Sequence, residues 1–160
     1  MNHPPSEFAF RIVEAEGIDA IRPMWEKLRA YHSRLSWRFA RDMRQLTFEP
    51  RKQEFLAKAA AGKFHLEIVG AISNNTDVGY CISSLSAEGR GEIDSIFVEE
   101  DFRGRGIGTE LITRALAWLD KMGASSKFVT VAYGNEDAVS VYRRFGFYHR
   151  TILLQQDPAR

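Results

Sequence analysis

The residues that most restrict how this chain can fold lie between positions 92 and 132. EIDSIFV (92–98) reads as a strand that ends in an apolar run. A glycine-rich turn follows in DFRGRGIGTEL (101–111). Ile107, Leu111, Ile112, Ala115, Leu116 and Leu119 then form a stripe at helical spacing, and Gly123 suits the end of that helix. SKFVTVA (126–132) is again a strand. A strand, a helix and a strand in succession make a crossover unit, so 92–98 and 126–132 are expected to be parallel neighbours.

The rest of the chain arranges itself around that unit. FHLEIVGAI (64–72) and VGYCISSL (78–85) read as strands, closed by the turn-rich SNNTD and SAEGRG. With 92–98 they form an antiparallel meander. FAFRIVEA (8–15) is a further strand, and FYHRTILL (147–154) a last one. Apolar positions at Ile18, Ile21, Met24 or Trp25, Leu28 and Tyr31 predict a helix over 18–34. Residues 50–61 read as a helix opened by Pro50 and ended by Gly62, and EDAVSVYRRF as a short helix ended by Gly146. Residues 37–50 have no clear reading, and Pro4 and Pro5 suggest a loose tail. The expected class is α+β: a mixed sheet flanked by helices.

Composition bounds the function. With 160 residues, one domain is the default, and 44% hydrophobic against 27% charged residues is an ordinary soluble balance. A net charge of +1 argues against a dedicated nucleic-acid or membrane binder. No uncharged apolar run approaches membrane-spanning length, and the N-terminus lacks the pattern of a signal peptide. The single cysteine, Cys81, lies in the apolar run VGYCI and reads as a small buried hydrophobe; a reducing cytoplasm is the natural setting. His3, His32, His65 and His149 are dispersed, so no metal site is expected.

The glycine turn points to an anion. A helix N-terminus presents unpaired backbone N–H groups and partial positive charge, and glycines let those groups close on a ligand without a Cβ in the way. Arg103 and Arg105 add donors suited to phosphate oxygens. A nucleotide-binding P-loop is excluded because Gly108-Thr109 has no lysine before it. A dinucleotide fingerprint is excluded because the glycines run G-x-G-x-G behind an antiparallel meander.

Arg103-Gly104-Arg105-Gly106-Ile107-Gly108 matches the pattern R/Q-x-x-G-x-G/A. Beyond the next strand stand Asn135, Ala138, Tyr142 and Phe145-Gly146-Phe147 in the matching order and spacing. Together these residues resemble the acyl-CoA site of the GNAT superfamily of N-acetyltransferases, over about residues 78–150. The resemblance implies a mostly antiparallel mixed sheet of six to seven strands, with a splayed central parallel pair and about four helices. It implies one domain over 1–160, with a variable acceptor-side portion at 1–62 and an acyl-CoA-binding core at 63–154. Acetyl-CoA is then the co-substrate and no metal is needed. Its pyrophosphate would lie on Arg103 to Thr109, including Ile107 and Gly108. Its pantetheine arm would run along Ile96, Phe97 and Val98, within reach of Asn135 and Tyr142.

Direct acetyl transfer to an amine makes three demands. The amine must be neutral, although a lysine-like amine has a pKa of about 10.4. Glu92, eleven residues before Arg103, and Asp94 are the candidate bases, and alternation puts both on one strand face. The resemblance favours Glu92, and a water relay is a third option. The oxyanion needs donors, for which backbone N–H groups near Val98 are expected, with Ser95 the one side-chain alternative in the strand. The departing thiolate needs a proton, for which Tyr142 is the candidate acid. Asn135 also opens the short helix as an N-cap. The basic-aromatic stretch YHSRLSWRFARDMR (31–44) reads as a helix end plus a loop over the acceptor pocket, whose arginines disfavour a polycationic acceptor. The expected function is acetyl transfer to a primary amine of a small molecule or a protein; a non-catalytic acyl-CoA sensor is the alternative. A homodimer is common in such folds and is left open by these residues.

Overall fold

In the computed structural model, residues 7–157 are described; the tail at Pro4 and Pro5, and His3, lie outside them. Among the described residues one sheet of five strands runs in the order β1-β2-β3-β4-β5. These are β1 (Phe8–Val13), β2 (Lys63–Ala71), β3 (Thr76–Leu85), β4 (Arg90–Val98) and β5 (Ser126–Val129). All neighbours are antiparallel except β4 and β5, which are parallel as the crossover requires. The α-helices are α1 (Arg22–Leu35), α2 (Ala40–Gln45), α3 (Phe48–Ala61), α4 (Ile107–Lys121) and α5 (Glu136–Arg143).

The sheet separates two cores. On one face Ile18, Ile21, Met24, Trp25, Phe48 and Phe55 pack against Leu66, Ile68, Tyr80, Ile82 and Phe97. On the other, Ile107, Leu111, Ile112, Ala115 and Tyr142 pack against Val69, Val78, Cys81 and Ile93. Burying both faces of β2 and β3 explains why those strands read as nearly continuous apolar runs. Cys81 is buried in the second core, and burial pushes its thiol up to about 12, so it is an inert packing group.

Several boundaries differ from the sequence expectation. The helix expected over 18–34 begins as a 3-10 turn at Ala15–Ile21, and α1 proper starts at Arg22 with Pro23 in its first turn. A proline lacks the N–H that an earlier start would need, so the α-helix opens around it. The sheet has five strands rather than six to seven, and there are five α-helices rather than four. FYHRTILL does not pair: residues 147–154 form no strand, and Tyr148, Ile152, Leu153 and Leu154 are 78%, 76%, 89% and 87% exposed. A strand needs a partner's ladder more than a favourable composition. β5 offers only four residues, ending at Val129 rather than at 132.

That short strand creates the feature on which the site depends. β4 pairs with β5 only from Arg90↔Ser126 to Ile93↔Val129, whereas β4 runs on to Val98. The two parallel strands therefore part after Ile93. A bulge falls at the same place: β3 pairs Ile82 with Ser95 but Ser83 with Ile93, leaving Asp94 as the extra residue. The bulge resets alternation, so Ile93 and Ile96 both turn toward the α4 core.

Candidate functional site

A cleft of about 900 Å³ opens where β4 and β5 part. Its inner half is lined by β4 from Glu92 to Val98, by the turn and first residues of α4, by Val129 to Ala132, and by Asn135 and Tyr142. Its outer half is lined by α1, α2 and α3 through Trp25, Leu28, Arg29, His32, Met43 and Arg51. Among the residues expected at the site, Glu92, Asp94, Ile96, Phe97, Val98, Arg103, Gly104, Gly106, Ile107, Gly108, Thr109, Asn135 and Tyr142 all line this one cleft.

The turn is built from backbone. Gly104 and Gly106 hold φ +75° and +82°, values that side-chain-bearing residues rarely adopt. A Cβ on either would meet nothing within 4 Å, so the space above the turn is open. Gly106 is the N-cap of α4 and no side chain caps that end, which leaves the first N–H groups of the helix facing the cleft. Four residues of the same helix, Ile107, Leu111, Ile112 and Ala115, anchor it in the core and fix the turn.

One of the two arginines departs from expectation. Arg103 Nε donates to the Val98 carbonyl at 3.0 Å, and its guanidinium lies 5.2 Å from the Tyr31 ring centre and 5.7 Å from that of Phe97. It ties the turn to β4 and α1. Arg105 does not line the cleft; it lies over Phe102 and 3.9 Å from Glu7. The cationic character of the turn is thus supplied chiefly by the helix end.

Beyond the turn, β4 presents a free edge. Glu99 N–H donates to Val78 O at 2.8 Å, so strand alternation turns the Val98 N–H the other way, toward the side that β5 has vacated. Ser95, the side-chain alternative, is engaged with the Tyr80 hydroxyl at 2.8 Å. Tyr142 is 5% exposed, packs edge-on against Phe147 and lines the cleft. Burial raises its pKa above that of a free phenol, so it holds its proton at neutral pH. Asn135 caps α5 as expected, its side chain accepting from Ala138 N–H at 3.3 Å.

Glu92 and Asp94 do share a face, and Lys58 of α3 joins them. Its ammonium bonds Glu92 Oε2 at 2.5 Å and also Asp94 Oδ1. Arg51 donates to the Asp94 carbonyl at 3.1 Å. The Asp94 side chain is fully buried, whereas that of Glu92 is 19% exposed. Burial raises the Asp94 pKa, with Lys58 and Ser84 opposing it. Burial also lowers the pKa of His32, which stays neutral at pH 7.

Lys58 and Arg29 are residues that sequence reading missed. The stretch 31–44 signalled a cover for the pocket, and Tyr31, His32 and Met43 do line it. No spacing rule connects Lys58 to β4, thirty-four residues away. Among the described residues no group of three or more His, Cys, Asp or Glu converges as metal ligands would, and no helix is long and apolar enough to cross a membrane.

Comparison with known proteins adds to this geometry. The model of a family described as the acetyltransferase (GNAT) family matches residues 24–147. An uncharacterised N-acetyltransferase of Methanocaldococcus jannaschii is 39% identical over 72 residues, 45% of this chain and 32% of that protein. An N-alpha-acetyltransferase of Sulfolobus acidocaldarius is 35% identical over 92 residues, 54% of each chain. The chain thus spans about a third to a half of the length of these relatives. The crystal structure of an aminoglycoside N-acetyltransferase in complex with CoA superposes with a TM-score of 0.65 at 19% identity, covering 98% of this chain and 99% of that one. At that identity the likeness concerns the fold.

Proposed function

Because this chain belongs to the acetyltransferase (GNAT) family, we propose that it transfers the acetyl group of acetyl-CoA directly to a primary amine of a small molecule or a protein. The observation that carries this reading is the continuity of the cleft. One cavity joins the free N–H groups of α4, the vacated edge of β4 and the Tyr142 side chain. The CoA bound to the aminoglycoside acetyltransferase of the same fold is consistent with that assignment.

In this reading the pyrophosphate sits on the N–H groups that open α4, where Gly104 and Gly106 leave room. The pantetheine arm lies in the wedge and pairs with β4 beyond Ile93 as an added strand. The thioester carbonyl then faces the Val98 N–H. The amine nitrogen attacks the carbonyl carbon, and the Val98 N–H stabilises the oxyanion that forms. As the intermediate collapses, the C–S bond breaks and Tyr142 gives its proton to the departing thiolate. A phenol kept protonated by burial is suited to that step. The amine proton leaves through Glu92, directly or by a water. Glu92 is favoured over Asp94 because its side chain is the accessible one of the pair.

The test is thiol release from acetyl-CoA against a panel of primary amines, with the product mass checked for one added acetyl group. Tyr142→Phe is expected to lower kcat about a hundredfold, the lower end of the range for losing a general acid, while KM for acetyl-CoA changes little. Equal losses in both would mean that Tyr142 only packs. Acetyl-CoA binding without turnover of any amine would favour a non-catalytic sensor, which needs the glycine turn but not Tyr142.

A further inference from the structure

We propose that the acceptor is an amine that also carries a carboxylate, and that Arg29 is the side chain that reads this second group. The proposal rests on the acetyltransferase reading above and narrows its substrate class. Among the described residues, two buried side-chain polar atoms lack a hydrogen-bond partner: Arg29 Nε and Asp94 Oδ2. Both residues line the cleft. One atom is a cationic donor and the other an acidic acceptor. Buried polar groups are rarely left unpaired, and such exceptions call for a missing partner. Asp94 already has Lys58 as its counter-charge, which leaves the Arg29 cation as the one that calls for a partner.

The charges lining the cleft single out Arg29. Glu92 and Asp94 are already countered by Lys58. Arg51 pairs with Glu54 at 2.5 Å. Arg103 and Arg144 are exposed to solvent. Arg29 is half-buried, and its bonds are to main-chain carbonyls: Nη1 donates to Arg44 O at 2.8 Å and to Leu46 O at 3.1 Å. Those two bonds clamp the guanidinium in place without neutralising it. They also occupy one end of the fork; Nη2 makes no hydrogen bond among the described residues, and Nε is unpaired but buried. A carboxylate reaching Nη2 makes a charge-assisted bond to a cation that no acidic side chain has neutralised. Trp25, Leu28, Met43 and Leu46 give the same half of the cleft apolar lining, which strengthens a charge-assisted pair. A single guanidinium so framed matches a planar monoanion, whereas a phosphate dianion would require more donors. The amine end of the acceptor then lies toward Glu92, the accessible carboxylate of the pair, across the same cavity.

The experiment compares matched amines that differ by one carboxylate: lysine with cadaverine, phenylalanine with phenethylamine, tryptophan with tryptamine. Ethanolamine and phosphoethanolamine are added as a phosphate control. The wild-type protein is expected to prefer at least one carboxylated member over its partner by at least about tenfold in kcat/KM. In Arg29→Gln the carboxylated member is expected to lose at least about tenfold more than its partner, and Arg29→Lys to retain part of the preference. A rise in Tm with acetyl-CoA shows that each variant is folded; if neither variant shows it, the wild-type ratios decide alone. Equal or inverted wild-type ratios, a ratio unchanged in Arg29→Gln, or preference for phosphoethanolamine would overturn the proposal and leave the acetyltransferase reading standing. So would a panel in which no carboxylated amine turns over or raises the Tm of the CoA complex. No Tm rise with acetyl-CoA in the wild type would instead remove the reading beneath it.

Discussion

Gly106 holds φ +82° and ψ −3° at the first turn of α4, in open surroundings. Alanine there pays the left-handed backbone cost of about 1–2 kcal/mol. Its methyl group would also stand in the space assigned to the pyrophosphate. Gly106→Ala is therefore expected to lower unfolding free energy by that amount and to weaken acetyl-CoA binding at least about tenfold, or 1.4 kcal/mol. Gly123, at φ +83° beyond the other end of α4 and equally open, supplies the control. Gly123→Ala should cost similar stability and leave acetyl-CoA affinity unchanged, by denaturant melts and calorimetric titration. Weak binding in both would mean that stability, not the turn, sets affinity. The glycines were legible in sequence because a positive φ demands that residue type. So was Asn135, whose cap is a local bond. Arg103 lines the cleft as expected but is tied to the Val98 carbonyl, and Arg105 lies outside the cleft near Glu7, because a long side chain goes to whatever the assembled fold offers it.

At the scale of elements, Lys58 is what fastens α3 to the bulged part of β4. Burial alone would lower its pKa, but hydrogen bonds to Asp94 and Glu92 reverse this and raise it above the ordinary 10.5. A raised lysine pKa contributes stability that is fully present below about pH 10.5 and is lost as pH climbs through the higher folded value. Lys58→Met leaves two carboxylates facing each other without a counter-charge. Losing one partner of a buried pair costs about 3–5 kcal/mol, and Lys58 is partly exposed, so about 2 kcal/mol is expected near pH 7. The gap between wild type and variant should hold from pH 7 to about 10 and close above it. A gap that instead widens with alkali would contradict the pairing. Elements with strong periodicity were readable: β2, β3, β4 and α4 fall close to their expected bounds. The rest depended on partners. Residues 147–154 have strand composition but no ladder to join, and α2 is a six-residue helix too short to show a period.

Across the whole molecule, the two cores hold the sheet rigid on both faces while β4 and β5 part between them. The cleft exists because the crossover helix starts at the end of a strand whose parallel neighbour stops early. The inner half of that cleft was largely legible in the sequence, since most of its residues come from one contiguous strand–turn–helix and from Asn135 and Tyr142; Val129 to Ala132 were not among the residues expected there. The outer half was legible only as a cover at 31–44, because Arg29 and Arg51 reach it from helices whose packing no spacing rule encodes. The central claim, that acyl-CoA fills the inner half, is tested most directly by thermal unfolding with and without acetyl-CoA. At a hundred times its dissociation constant a ligand adds about 2.7 kcal/mol, which for a domain of this size raises Tm by roughly 5–10 °C. That rise is expected in the wild type and is expected to shrink in Gly106→Ala at the same ligand concentration. An unchanged Tm at millimolar acetyl-CoA would contradict the account.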